Sequence, residues 1–411
     1  MNADAPSAGS ARKAWIMVGL LVPVALLNYL DRQMVAAMQT SIMATVEGIK
    51  TQAQWGHMLA WFKWTYALAS PFAGFFADRF GRRHVIALSL LVWSADTWAT
   101  AHVTTYDQLL LTRALMGLSE AFYIPAALAL IADHHASATR SRAVGVHQIG
   151  IYLGVMVGSL GGYVADAPEL GWRWAFSMLG GLGIFYSLPL WLLLRDVPRE
   201  KTVAPDFGSA AALLADRNFR ILLLYFTLPA LAGWVVRDWM PSILRKELGL
   251  TQGLAGVSAV IWWQGAAILS ALWGGWLADR WMRRSPRGRQ QVSALGMGLI
   301  FPALIGVGVV VGLKSLPLAV FFLVLFGLGW GLFDGNNMPI LAQIARPEQR
   351  ATGYGIMNLA SISCGGVADI AFGWLRDQQV PLNLIFAAFA AVACVSAWLV
   401  LQIRTGVADR S

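Results

Sequence analysis

The sequence predicts an all-α membrane protein, with twelve transmembrane helices in two pseudo-symmetric six-helix bundles. Three observations predict it. Of 411 residues, 57% are apolar and only 13% are charged, about half the charge of an ordinary soluble domain. Twelve apolar runs reach the length of roughly 20 residues that crosses a bilayer as a helix. Two motifs recur at corresponding places in the two halves of the chain. These features exclude most soluble enzymes, nucleic-acid readers and disulfide scaffolds. The net charge of +9 would suggest a nucleic-acid partner in a soluble chain, but here the cations sit mostly in short loops between apolar runs. Cys364 and Cys394 both fall inside such runs and imply neither a disulfide framework nor a zinc site.

Taken in order, residues 1–14 form a polar tail and the first half spans 15–194, with runs at 15–38, 55–77, 84–103, 107–133, 141–165 and 173–194. The first run is too long for a signal-peptide core and no small-residue cleavage site follows, so it reads as a retained helix. Residues 195–218 carry Pro198, Pro205 and several charges and read as a linker, with a short interfacial helix expected at Phe207 to Leu214. The second half spans 219–403, with runs at 219–243, 253–278, 290–313, 316–344, 350–374 and 381–403, before a tail at 404–411. Alternate loops carry 21 Lys and Arg on one side against 6 on the other. The positive-inside rule then puts both termini in the cytoplasm.

The repeat is explicit. Gly74-Phe-Phe-Ala-Asp78-Arg79-Phe-Gly81-Arg82-Arg83 follows the second run, and Gly275-Trp-Leu-Ala-Asp279-Arg280-Trp-Met-Arg283-Arg284 follows the eighth. Gly117-x-x-Glu120-x-x-x-x-Pro125 in the fourth run matches Gly331-x-x-Asp334-x-x-x-x-Pro339 in the tenth. Paired repeats with a site between them are a transporter architecture.

On these residues the chain resembles the major facilitator superfamily over essentially its whole length. Within it, Asn28-Tyr29-Leu30-Asp31-Arg32 and Arg113-Ala-Leu-Met-Gly117-Leu-Ser-Glu120-Ala121 look like the anion:cation symporter family, which moves sugar acids and other organic anions. The stretch from Glu120 to Gly162 also looks like the spinster-like branch, whose members move lipids or organic acids. The resemblance implies that the loop cluster Asp78, Arg79 and Arg82, with Asp279 and Arg280 in the second half, latches the halves on the cytoplasmic side. Asp78 is expected to accept hydrogen bonds near Arg350 to Gly353, at the positive end of the eleventh helix. The plainer explanation is a basic loop that only fixes topology.

Charge at membrane depth is costly, so each instance is a functional candidate. The residues are Asp31, Arg32, Lys63, Asp96, Arg113, Glu120, Arg237, Asp238, Asp334 and Asp369. At about 1.5 Å per residue, Arg113 lies about 10 Å and Glu120 about 20 Å below the outer end of the fourth helix. Asn28, Asp31 and Arg32 share one helix face, as do Arg113, Gly117 and Glu120, and Lys63, Tyr66 and Ser70. Arg32, Lys63 and Arg113 outnumber Asp31 and Glu120, so an anion is the expected missing partner. Arginine's planar fork suits a carboxylate, which makes Arg32 or Arg113 the expected clamp. The resemblance links the Asp of the first motif and the Glu of the second to protonation, and Asp31 and Glu120 match them. Protonating Glu120 is expected to free Arg113. The plainer alternatives are structural pairs, Arg113 with Glu120 and Arg32 with Asp31, and a Lys63 that snorkels to the interface.

Tyr29, Tyr66, Gln148, Tyr152, Gln264 and Asn358 are placed to read substrate hydroxyls, or else to bond between helices. Asp334 matches Glu120 by the repeat and is a gate or cavity residue. His147 reads as a packing or gate residue. Gly150, Gly154 and Gly158 form a stripe for close helix contact, while Ser159 stands where the superfamily's antiporter motif has proline. The function expected is proton-coupled symport of a small organic anion by alternating access, with sodium as the alternative cation. No cofactor, metal or nucleotide motif is present in the sequence, and the partners expected are the anion, the proton and the bilayer, with the protein a monomer in a bacterial inner membrane. The rivals are a spinster-like exporter of an amphiphile and a membrane sensor that binds the anion without moving it.

Overall fold

The computed structural model describes residues 8–135, 137–197, 207–310 and 312–404. Sixteen α-helices follow one another: α1 (Ala8–Ala37), α2 (Gln39–Thr45), α3 (Gln52–Phe80), α4 (Arg82–Thr100), α5 (Tyr106–Glu120), α6 (Tyr123–His134), α7 (Ser137–Ser159), α8 (Gly161–Asp166), α9 (Gly171–Leu193), α10 (Phe207–Ala215), α11 (Arg217–Leu248), α12 (Gln252–Met282), α13 (Gly288–Val310), α14 (Leu316–Ile344), α15 (Arg350–Asp377) and α16 (Leu382–Leu401). Every one of the twelve apolar runs is helical. Among the described residues, ten stretches are long and apolar enough to cross a membrane. The stretches corresponding to α3 and α4 are not among them, because Lys63 and several Trp and Tyr dilute α3, and Arg82, Arg83, Asp96 and the hydroxyl residues dilute α4. The expected interfacial helix is α10; Pro198, Pro205, Arg199 and Lys201 of the linker, the first seven residues and Arg410 lie outside the described residues.

Helix ends follow local chemistry. Asp216 caps α11 by accepting from Phe219 N at 2.8 Å, and Thr105 with Gln108 makes a capping box on α5. The fourth run is not one continuous helix: α5 stops at Glu120 and α6 starts at Tyr123. Pro125 lacks the N–H that the carbonyl of Ala121 would need, so the break falls directly after Glu120. In the tenth run α14 continues through Pro339.

The chain divides into two compact units. The first comprises residues within Met1–Ile49 and Trp64–Pro205, the second residues within Lys50–Lys63 and Asp206–Ser411. In the first, α7 lies against α1 along the expected glycine stripe. A Cβ on Gly150 would stand 2.7 Å from the Val22 carbonyl oxygen, and one on Gly158 2.6 Å from that of Leu30. Gly180 and Gly183 let α9 approach α4 in the same way. In the second unit Gly296 of α13 packs on the Gly329 carbonyl of α14. Each unit therefore holds its helices by backbone proximity as well as side-chain burial. Gly158→Ala is expected to force α7 off α1 next to Asp31, at about 1–3 kcal/mol. The check is thermal unfolding in detergent; an unchanged midpoint would mean the helices can separate at no cost.

The repeat extends beyond the motifs. Arg140 donates to the carbonyls of His135 (3.3 Å) and Ala132 (3.1 Å), and Arg350 donates to those of Ala345 (3.3 Å) and Ala342 (3.0 Å). The two arginines cap the ends of α6 and α14 by the same spacing, a cation on the negative end of a helix in each half.

Candidate functional site

The first unit assembles Asp31, Arg32, Arg113 and Glu120 into one buried network, as their helix faces suggested, but the pairs are crossed. Arg32 Nε donates to Glu120 Oε2 at 2.6 Å, and Arg113 Nη1 lies 3.5 Å from Asp31 Oδ1. The expected couples, Arg113 with Glu120 and Arg32 with Asp31, are thereby corrected. Adjacent residues on a helix point about 100° apart, and Arg113 and Glu120 stand about 10 Å apart along their axis, so partners are found across helices instead. The guanidinium paired with Glu120 is therefore Arg32, and the one beside Asp31 is Arg113.

α4 supplies further contacts. Thr97 Oγ1 donates to Asp31 Oδ2. Arg113 Nη2 donates to Thr100 Oγ1 at 3.0 Å, and that hydroxyl donates to the Asp96 carbonyl at 2.9 Å. Arg113 also lies 5.8 Å from the Phe176 ring centre. Asp96, Thr97 and Thr100 were not assigned to the site from sequence, although their i, i+1, i+4 spacing on a helix diluted in apolar residues was a visible signal. Glu120 is completely buried, and its Oε1 has no hydrogen-bond partner in the described structure.

The two arginines differ in setting. Arg113 is enclosed, with its side chain 4% exposed, whereas that of Arg32 is 11% exposed. Arg32 is also flanked by two rings, 4.9 Å from the Tyr29 centre and 4.7 Å from that of Tyr66. Tyr29, Tyr66 and Arg32 thus form one group. Gln148 and Tyr152 lie half-buried on α7 of the same unit, and Gln264 and Asn358 half-buried on α12 and α15 of the second. His147 is buried and bonds to the Tyr123 hydroxyl at 2.9 Å, a packing arrangement.

Lys63 is not the uncompensated cation that the sequence suggested. Within the second unit its Nζ is 2.5 Å from Asp238 Oδ2 and is also paired with Asp369 Oδ2. Trp239 Nε1 donates to the other Asp369 oxygen at 3.1 Å. Lys63 Nζ sits 4.4 Å and Arg237 Cζ 5.4 Å from the ring centre of Trp234. The excess of three cations over two carboxylates therefore disappears: Arg32 and Arg113 balance Asp31 and Glu120, and Lys63 belongs to another cluster. Asp377 holds the start of α3 in place by accepting from Gln52 N and Ala53 N, both at 2.8 Å.

The loop motif organises its own unit. Arg82 is buried, ion-paired with Asp133, donates to the Ala129 carbonyl at 2.8 Å and reaches Asp78 at 3.4 Å. Gly81, at φ +85°, lets Asp196 close in and accept from Arg83 N at 3.0 Å. Arg79 lies against Phe80. In the second unit Asp279 pairs with Arg289 at 3.2 Å, Arg280 lies over Trp276, and Asp334 is exposed on α14.

Helical architecture, internal repeat and buried charge describe a membrane transporter. The family model of the Major Facilitator Superfamily matches residues 21–368, and the chain belongs to that superfamily. It is 28% identical to an MFS-type efflux pump of Mycolicibacterium smegmatis, over 94% of this chain and 92% of that protein. It is 25% identical to the hexuronate transporter of Escherichia coli, over 94% of each. Among solved structures, a bacterial homologue of the human lysosomal transporter Spinster, in an inward-facing and occupied conformation, matches with a TM-score of 0.80 at 21% identity, covering 96% of this chain and 97% of that one. The protein is an integral membrane transporter and not an enzyme.

Proposed function

We propose that the protein is a proton-coupled symporter of a small organic anion of the sugar-acid class, working by alternating access in a bacterial inner membrane with both termini in the cytoplasm. The observation that carries this reading is the crossed, charge-balanced network of Asp31, Arg32, Arg113 and Glu120. A balanced set of buried charges has no room for a bare anion. An anion that takes Arg32 leaves Glu120 buried without its cation, at a cost of several kcal/mol. A proton on Glu120 removes that cost, so proton and anion enter together. Arg32 is the clamp, because its side chain is the more exposed of the two and its guanidinium lies against the rings of Tyr29 and Tyr66. Arg113 holds Asp31 in place. Similarity to a hexuronate transporter supports the choice of substrate class.

The test is uptake of glucuronate into proteoliposomes under an inwardly directed proton gradient. The expected result is accumulation that a protonophore abolishes. No uptake of any sugar acid, together with thermal stabilisation of the protein by lysolipids, would overturn the reading in favour of an amphiphile carrier. Arg32→Lys keeps the charge but loses the fork and the ring stacking. It is expected to weaken glucuronate binding at least about tenfold, near 1.4 kcal/mol, with unchanged proton dependence. Near-native affinity would remove Arg32 as the clamp.

A further inference from the structure

The two copies of the repeated loop motif differ in what their arginines meet. In the first unit Arg82 is buried and paired with Asp133 of α6. Asp133 follows Ala132, whose carbonyl Arg140 caps; in the second unit the residue that follows the equally capped Ala342 is Gln343. Gln343 holds its turn through neutral contacts. Its Nε2 reaches Met282 Sδ and the Pro286 carbonyl oxygen, each at 3.5 Å, and its Oε1 accepts from Gln290 Nε2 at 3.2 Å. Arg283, which matches Arg82 in the repeat, therefore has no carboxylate to draw it inward and is exposed. Arg280, Arg284 and Arg287 are exposed as well. The nearby Asp279 pairs with Arg289 instead, and among the described residues none of the four exposed arginines makes an ion pair.

These arginines continue an exposed apolar face. Leu269, Leu272, Trp273 and Trp276 stand at i, i+3, i+4 and i+7 on α12, and each is more than half exposed. Arg280 follows one turn later on the same face, 5.7 Å from the Trp276 ring centre. The stretch Gln252–Met282 is long and apolar enough to cross a membrane, so this face runs from acyl-chain depth to the bilayer surface where the turn lies. We propose that this face of α12 and the turn after it bind an anionic phospholipid, with the acyl chain along the leucines and tryptophans and the phosphate against the arginines. A basic loop that only fixes topology needs cations, but neither an apolar stripe leading to them nor their release from carboxylates. A soluble phosphate would engage the arginines and leave the stripe bare. A zwitterionic phospholipid fits the stripe but brings an ammonium that the arginines repel. The assignment is independent of what the protein carries.

The experiment is native mass spectrometry of the full chain in non-ionic detergent, titrated with phosphatidylglycerol or with phosphatidylcholine of the same chains. Phosphatidylglycerol is expected to bind at least about tenfold more tightly, since each surface cation adds to the attraction for an anionic headgroup. Inorganic phosphate at the same concentration is expected not to compete. The triple variant Arg283→Gln, Arg284→Gln and Arg287→Gln is expected to lose at least about tenfold in phosphatidylglycerol affinity and nothing in phosphatidylcholine affinity. Its three side chains are exposed and unpaired, so the fold is expected to be unaffected. Gln343→Asp restores the carboxylate of the first unit, and is expected to weaken phosphatidylglycerol binding about fivefold by engaging Arg283. Equal affinity for the two lipids, or undiminished phosphatidylglycerol binding by the triple variant, would overturn the proposal and leave a loop that only fixes topology. Displacement of the lipid by inorganic phosphate would overturn it in favour of a soluble-phosphate site.

Discussion

Glu120→Gln is expected to abolish accumulation of sugar acid against its gradient while preserving exchange of labelled for unlabelled substrate across the membrane. Glutamine keeps the shape of the side chain and an oxygen that accepts from Arg32, now 2.6 Å from Glu120, but holds it permanently in the uncharged form. Arg32 is then free for the anion at every pH. The native protein is expected to gain affinity as pH falls, because protonation of Glu120 would release Arg32. The variant is expected to bind equally well across the same range. Parallel measurements of net uptake, counterflow and binding at acid and alkaline pH check this. Uphill uptake that survives the substitution would take Glu120 out of proton coupling.

Lys63→Met is expected to have the largest effect on stability. The ammonium of Lys63 is shared by Asp238 and Asp369, and all three side chains are at least nine-tenths buried. Removing the cation leaves two carboxylates facing each other, and breaking a buried pair costs about 3–5 kcal/mol. The triple change Lys63→Met with Asp238→Asn and Asp369→Asn removes the uncompensated charge and is expected to recover most of the stability. Unfolding midpoints in detergent decide it, and an unaltered midpoint in the single variant would show that the cluster contributes nothing to folding.

Much of this was legible in the sequence for physical reasons. Apolar run length marks where helices form, and among the described residues each of the twelve runs is largely helical, some as two helices. The glycine stripe of the fifth run predicted a close helix contact, because a missing Cβ acts at the point of contact, and the structure supplies α1 as the partner. The four charges of the first-unit network were legible because unpaired charge is costly at depth. Their partners were not. Asp31 and Arg32 are neighbours in sequence, yet they turn to Arg113 and Glu120 respectively, and that choice depends on the register between α1 and α5. Lys63 shows the same limit more sharply: its carboxylates lie 175 and 306 positions further along the chain, and no local pattern connects them. The interruption after Glu120 was readable from Pro125, through the carbonyl it leaves without a donor, but the same proline spacing in the tenth run produces no interruption.

The position of Lys63 has a consequence for biosynthesis. Residues 50–63 belong to a unit whose other members are made only after residue 205. At about 5–20 residues per second, Asp369 leaves the ribosome roughly 15–60 s after Lys63. Of its final counter-charges only Asp238, 175 positions along, is made within that interval, and a lysine at the centre of an inserting helix costs about 2.5–3.5 kcal/mol. The nascent α3 must wait in the insertion machinery, or at the bilayer surface, until the last third of the polypeptide arrives. Chains that end before α15 lack Asp369 and keep Lys63 without that partner.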